Sequence, residues 1–124
     1  MAHYVVWLDH EQARFFRYSD KGLEKTHIKN HNHHNTHSQN HYQADKNHLQ
    51  DFYKEVAGHL QDATAVFLVG PGLAKTEFQK LVEHHSHGTL GKAIVSVETM
   101  DKATDGEVEN FAHKLFHKYN LFHA

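Results

Sequence analysis

At 124 residues the chain is long enough for one domain with a real core, and its 13 Lys and Arg against 15 Asp and Glu (formal charge −2) exclude a strongly basic nucleic-acid binder. It has no cysteine, which excludes a disulfide framework and any thiolate metal site. The 16 histidines add a reserve of positive charge, because an unperturbed imidazole titrates near pH ~6.5.

His3 to Leu8 (HYVVWL) is an apolar run with aromatic and β-branched residues and reads as a central strand. It follows no basic leader and is too short to span a membrane, so neither a signal peptide nor a transmembrane segment is expected, and the chain reads as cytoplasmic. A short polar turn, Asp9 to Gln12, leads to a second strand, Ala13 to Tyr18, with Phe15 and Phe16 on opposite faces. Asp20-Lys21-Gly22 makes a second turn into a third strand, Leu23 to Lys29, whose imperfect alternation suits a sheet edge. Three consecutive antiparallel strands are the economical reading.

Asn30 to Gln43 (NHNHHNTHSQNHYQ) holds five histidines, no fixed charge and one large apolar side chain, Tyr42. Such a stretch buries too little apolar surface to offset the entropy of ordering it, so a loop is expected. Asp45 to Leu60 reads as a helix with Asp45 as N-cap and Leu49, Phe52, Tyr53, Val56 and Leu60 inward. Ala63 to Gly70 (ATAVFLVG) reads as a strand covered on both faces, which calls for helices on both sides of a mixed sheet. After Gly70-Pro71-Gly72, Leu73 to His85 forms a helix with Leu73, Phe78, Leu81 and Val82 inward. Lys92 to Glu98 is a fifth strand. Thr104 and Glu107 fit a capping box for a last helix running to about Tyr119. The expected fold is a layered α/β domain with a mixed sheet of five strands and three helices, in the order β-β-β-α-β-α-β-α.

Candidate chemistry concentrates in the histidine loop. His31, His33, His34, His37 and His41 stand at spacings that let neutral imidazoles converge on zinc, nickel or copper, although histidine-rich tracts commonly bind metal through composition alone. No cofactor is required by any other feature. His84, His85 and His87 suit the C-terminal end of a helix, where a histidine interacts favourably with the dipole. His113 and His117 share a helix face at i and i+4. Gly70-Pro71-Gly72 lacks the glycine spacing and the Lys-Ser/Thr ending of a phosphate-binding loop, yet Lys75 stands close enough behind it to touch a phosphate. Asp9 and Asp101 follow two strands, with Glu11 and Asp105 near them. Turn and cap roles explain Asp9 and Asp105 more simply than a two-metal nuclease site.

At Gly70 to Phe78 (GPGLAKTEF) the sequence resembles the middle domain of the archaeal and eukaryotic peptide-chain release factors and their ribosome-rescue relative Pelota. The likeness extends to TDGEVENF at Thr104 to Phe111 and to the order of elements over nearly the whole chain, and the sequence is similar to small bacterial translational-machinery-like proteins of that group. The resemblance implies a ribonuclease-H-like fold and one domain over 1–124 with its histidine- and asparagine-rich loop at 30–43. Release factors carry Gly-Gly-Gln between their third strand and first helix and use it to promote peptidyl-tRNA ester hydrolysis. Asn30 to Gln43 contains no Gly-Gly-Gln, only Ser38-Gln39-Asn40, and Pelota-like proteins also lack that motif.

The resemblance therefore implies a ribosome- or RNA-associated, translation-related protein without catalytic activity and without a membrane partner. Lys25, Lys29, His31, His33, His34, His37, Gln39, His41, Tyr42 and Lys75 are the candidate RNA contacts. Two alternatives remain from the same residues. One is ester hydrolysis through Gln39 or His37. The other is zinc or nickel binding by the five loop histidines.

Overall fold

The structure, a computed structural model, describes residues 2–30, 41–84 and 88–118, without the side chains of residues 41–47 and 88. Its strands are β1 (Ala2–Leu8), β2 (Gln12–Ser19), β3 (Gly22–Lys29), β4 (Ala63–Gly70) and β5 (Ile94–Thr99). Its helices are α1 (His41–Gly58), α2 (Ala74–His84), α3 (Gly88–Ala93) and α4 (Asp105–Lys118). The strands form a mixed sheet in the order β3-β2-β1-β4-β5. The β1, β2 and β3 strands pair antiparallel as a meander, while β4 lies parallel to β1 and β5 parallel to β4. This is the ribonuclease-H-like arrangement that the resemblance implies.

The alternation of β1 and β4 separates two cores. Tyr4, Val6, Leu8, Phe15, Val66 and Leu68 face α1 and α2, where they meet Phe52, Val56, Leu60, Phe78 and Val82. Val5, Trp7, Phe16, Tyr18, Phe67 and Val69 face α4 and pack on Val108, Ala112 and Phe116. Each large side chain taken fully out of water contributes ~1.5–3 kcal/mol. The expectation that Ala63 to Gly70 is covered on both faces is met.

Three boundaries differ from the expectation. The α1 helix begins at His41, so Asp45 lies inside it and is not its N-cap, and residues 41–43 belong to the helix rather than to the loop. The apolar stripe starts only at Leu49, and a polar first turn carries no periodic signal. Leu73 is 68% exposed instead of inward. Its carbonyl accepts from Glu77 N at 2.9 Å, which puts it at the cap, and Ala74 takes the place in the stripe above Phe78. The six-residue α3 stands where the sequence suggests only a turn, and it moves the start of β5 to Ile94. Its apolar pair, Leu90 and Ala93, is too short to show a period and is buried in the α1–α2 core. The capping box of α4 forms as expected: Thr104 N donates to Glu107 Oε1 at 2.9 Å, and Glu107 N donates to Thr104 Oγ1 at 3.2 Å.

A polar lock ties the first two strands to the start of β4. Tyr4 OH donates to Asp62 Oδ1 at 2.6 Å, and Arg17 donates to Asp62 Oδ2 from Nε at 3.0 Å and from Nη2 at 2.6 Å. Partial burial would raise the Asp62 carboxyl, but the hydrogen bonds from Tyr4 and Arg17 outweigh it and hold the group below its ordinary value. Burial, with the bond to Asp62, pushes the Tyr4 phenol up to about 12. A carboxyl depressed in the folded state stabilises above its unfolded pKa of ~3.9 and loses that contribution as pH falls through the folded value. Urea unfolding of Asp62→Asn beside the wild type should therefore show a stability deficit at neutral pH that narrows steadily below about pH 4.

Candidate nucleic-acid interface

The β2–β3 hairpin positions the charged residues nearest the histidine-rich segment. Its turn, Asp20-Lys21, sets Ser19 opposite Gly22, and the register then places Arg14 opposite His27, Phe16 opposite Lys25 and Gln12 opposite Lys29. Phe16, Tyr18 and Leu23 belong to the α4-side core, so Gln12, Arg14, Lys25, His27 and Lys29 point to that same side of the sheet. Lys25 pairs with Glu109 of α4. Lys29 is exposed and, among the described residues, meets no carboxylate.

At the end of β3 the chain is pinned. Asn30 is buried; its N donates to Glu11 O at 2.8 Å and its Nδ2 to His10 O at 3.1 Å. The chain re-enters the described residues at His41, the first residue of α1. His31, His33, His34, His37 and Gln39 lie outside the described residues. His41 and Tyr42 are placed in the first turn of α1.

Lys75 requires a correction. It is only 6% exposed, and its Nζ donates to Gly72 O at 2.5 Å. The ammonium folds back onto the Gly70–Gly72 turn as an internal brace and is not presented to a phosphate. Gly70 is needed in the same turn: its φ is +154°, and a Cβ there would collide with the carbonyl oxygen of Leu8.

Of the acids at the strand ends, Asp9 is a turn group and Asp105 an ion-pair partner. Asp9 Oδ1 accepts from Glu11 N and Gln12 N, both at 2.8 Å, and closes the β1–β2 turn. Asp101 offers its carbonyl oxygen to Trp7 Nε1 at 3.3 Å, and Asp105 pairs with Arg14 at 3.0 Å. Beside them, Glu77 Oε1 accepts from Tyr53 OH at 2.7 Å and from His10 Nε2 at 3.0 Å, at the edge of a cleft of about 320 Å³ between α1 and α2. Burial, more than the bond to Glu77, drives the Tyr53 phenol far above its ordinary range, so it serves as a hydrogen-bond donor. Among the described residues no three His, Asp or Glu side chains converge where they could hold a metal ion. His113 and His117 are exposed on α4, and the His113 ring meets the Tyr18 ring edge-on at 5.6 Å.

A second cleft, of about 260 Å³, opens on the α4 side of the hairpin between Arg14, Lys25, His27 and Asp105. Sequence reasoning does not single out Arg14, His27 or Gln12. Their place beside Lys25 and Lys29 follows from counting back across the two-residue turn.

This fold recurs in solved structures. Archaeoglobus fulgidus Pelota matches 94% of the chain with a TM-score of 0.62 at 16% identity. Thermoplasma acidophilum Pelota matches 90% with a TM-score of 0.60 at 13% identity. The archaeal translation termination factor aRF1 matches 97% with a TM-score of 0.57 at 16% identity. The chain has the fold of one part of these proteins. It spans 32% and 31% of the two Pelota chains and 40% of aRF1, so the resemblance read at Gly70 to Phe78 is met at the level of the fold. No protein-family model matches the sequence, and no curated protein does. Among the described residues no helix is long and apolar enough to cross a membrane.

Replacing Gly70 by alanine should destabilise the protein by more than about 1 kcal/mol, because both the dihedral and the Leu8 carbonyl oppose a Cβ. The urea midpoint measures it. Gly72→Ala, where a Cβ meets open space, is the matched control.

Proposed function

We propose that this is a translation-related protein that associates with the ribosome or with structured RNA and presents residues 31–40 to it, without catalysing a reaction. The observation that carries the reading is the fold, shared over nearly the whole chain with a part of an archaeal translation termination factor and of two Pelota proteins. The absence of Gly-Gly-Gln between β3 and α1 argues for association without hydrolysis. Asn, Gln, Ser and His side chains donate to phosphate and ribose oxygens, and the rings of histidine and Tyr42 are able to stack on bases. Lys25 and Lys29 add fixed charge at the root of the segment.

Co-sedimentation with purified bacterial ribosomes across a salt series tests this. The wild type is expected to pellet with ribosomes at low salt and to be released as salt rises. A variant with His31, His33, His34, His37 and His41 changed to serine should bind more weakly. Unchanged binding by that variant removes the histidines from the interface, and no binding of the wild type at low salt overturns the reading. Release of labelled peptide from ribosome-bound peptidyl-tRNA, abolished by Gln39→Ala, would instead make the chain a hydrolase. Stoichiometric zinc or nickel uptake lost in the five-histidine variant would make the segment a metal site.

A further inference from the structure

The cleft between β2, β3 and the first turn of α4 has a composition that its structural role does not account for. Arg14 lies over the Trp7 ring, 4.5 Å from guanidinium carbon to ring centroid, with a side chain only 15% exposed. One of its donors, Nη1, reaches Asp105 Oδ1 at 3.0 Å, while Nε is buried and finds no hydrogen-bond partner. Nε is sealed from solvent, so the face that Arg14 turns to the cleft is its terminal guanidinium end, which Nη1 already extends toward Asp105. Beside it, Lys25, His27 and Lys29 alternate along β3 on the same side, ~6.8 Å apart by strand geometry. Arg14, Lys25 and Lys29 thus put three cationic groups along one side of the hairpin, which fits a linear polyanion with repeated charges better than one small anion.

His27 adds a chemical preference. The ring nitrogen Nε2 stands 2.7 Å from Gln12 Oε1, an oxygen that only accepts, so Nε2 donates to it, and a ring with that one proton has Nδ1 as an acceptor. A phosphate oxygen has no proton to give Nδ1. A ribose 2′-hydroxyl does, and that hydroxyl separates RNA from DNA.

We propose that this cleft binds the phosphodiester backbone of RNA, with Arg14, Lys25 and Lys29 on the phosphates and His27 on a ribose 2′-hydroxyl. The site deepens the proposed RNA association and rests on it. Asp105, which also lines the cleft, competes with phosphate for Arg14, as Glu109 does for Lys25. The carboxylates thus set a moderate affinity, and removing one is a gain-of-binding test that a purely structural role would not pass.

The test titrates the protein with a short labelled single-stranded RNA, the matching DNA, inorganic phosphate and polyglutamate, by fluorescence anisotropy and by the Arg14 Nε–H resonance. RNA should move that resonance. Asp105→Asn should tighten RNA binding two- to fivefold, roughly the factor that an exposed ion pair commands. The double variant Lys25→Ser, Lys29→Ser should weaken binding about tenfold and lower the salt slope by about two, one for each phosphate that is no longer neutralised. His27→Ala should bring RNA and DNA affinities together. Thermal unfolding of each variant confirms that it is folded.

If RNA and ribosomes bind the wild type while Asp105→Asn and the lysine variant bind identically and the Arg14 resonance stays fixed, the cleft is not the site, although the association stands. If neither RNA nor ribosomes bind, the association itself fails and the cleft with it. A resonance moved by phosphate and not by RNA leaves a small-anion site and overturns the proposal. Equal wild-type affinity for RNA and DNA overturns the choice of RNA, and polyglutamate binding as tightly as RNA overturns the choice of a phosphodiester.

Discussion

Everything in this fold answers to the double burial of β1. From Tyr4 to Leu8 every side chain is buried, whichever face of the sheet it points to. A strand apolar on both faces must have neighbours on both edges and helices above and below. The β2 strand supplies one edge by a tight antiparallel turn. The β4 strand supplies the other in parallel, which requires a crossover, and α1 provides it. The α1 and α2 helices then close one face and α4 the other, so the number of layers follows from five consecutive residues.

The charged surface is what that cover leaves over. The first two turns of α4 reach as far as Arg14 and Lys25, through Asp105 and Glu109, while its later turns pack on Tyr18 and Phe67. Beyond the helix the α4 side of the hairpin passes from aromatic to basic and polar residues: Phe16 and Tyr18 under the helix, Arg14 and Gln12 outside it. The open end of the hairpin is also where the chain departs at Asn30. Scaffold and charge thus meet at one corner of the sheet, on the same hairpin that carries the chain into its histidine-rich stretch.

Much of this was legible in the sequence because strong periods carry much information. All five strands, the stripe from Leu49 to Leu60 and the Thr104–Glu107 capping box could be read directly. What could not be read lacked a period or depended on distant partners. The polar first turn of α1 and the six residues of α3 carry no repeat long enough to register. Lys75 illustrates the other kind of miss. A lysine just after a glycine-rich turn looks solvent-facing from its chemistry, and only the local path of the backbone shows that its ammonium meets the Gly72 carbonyl. For Arg14 and His27, the register was available from the hairpin turn, but the covering limit of α4 was not.

The order of the strands also sets how the chain can reach this structure. Pairing within the meander links residues close in sequence, such as Leu8 with Ala13 and Ser19 with Gly22, so its loop-closure entropy is small. The parallel seam instead joins Val5 to Phe67 and must enclose the whole intervening chain. Closing the seam between β1 and β4 therefore carries the larger loop-closure entropy of the two. Without that seam one edge of β1, a strand buried on both faces, would be left unpaired, the kind of apolar edge that pairs with other molecules.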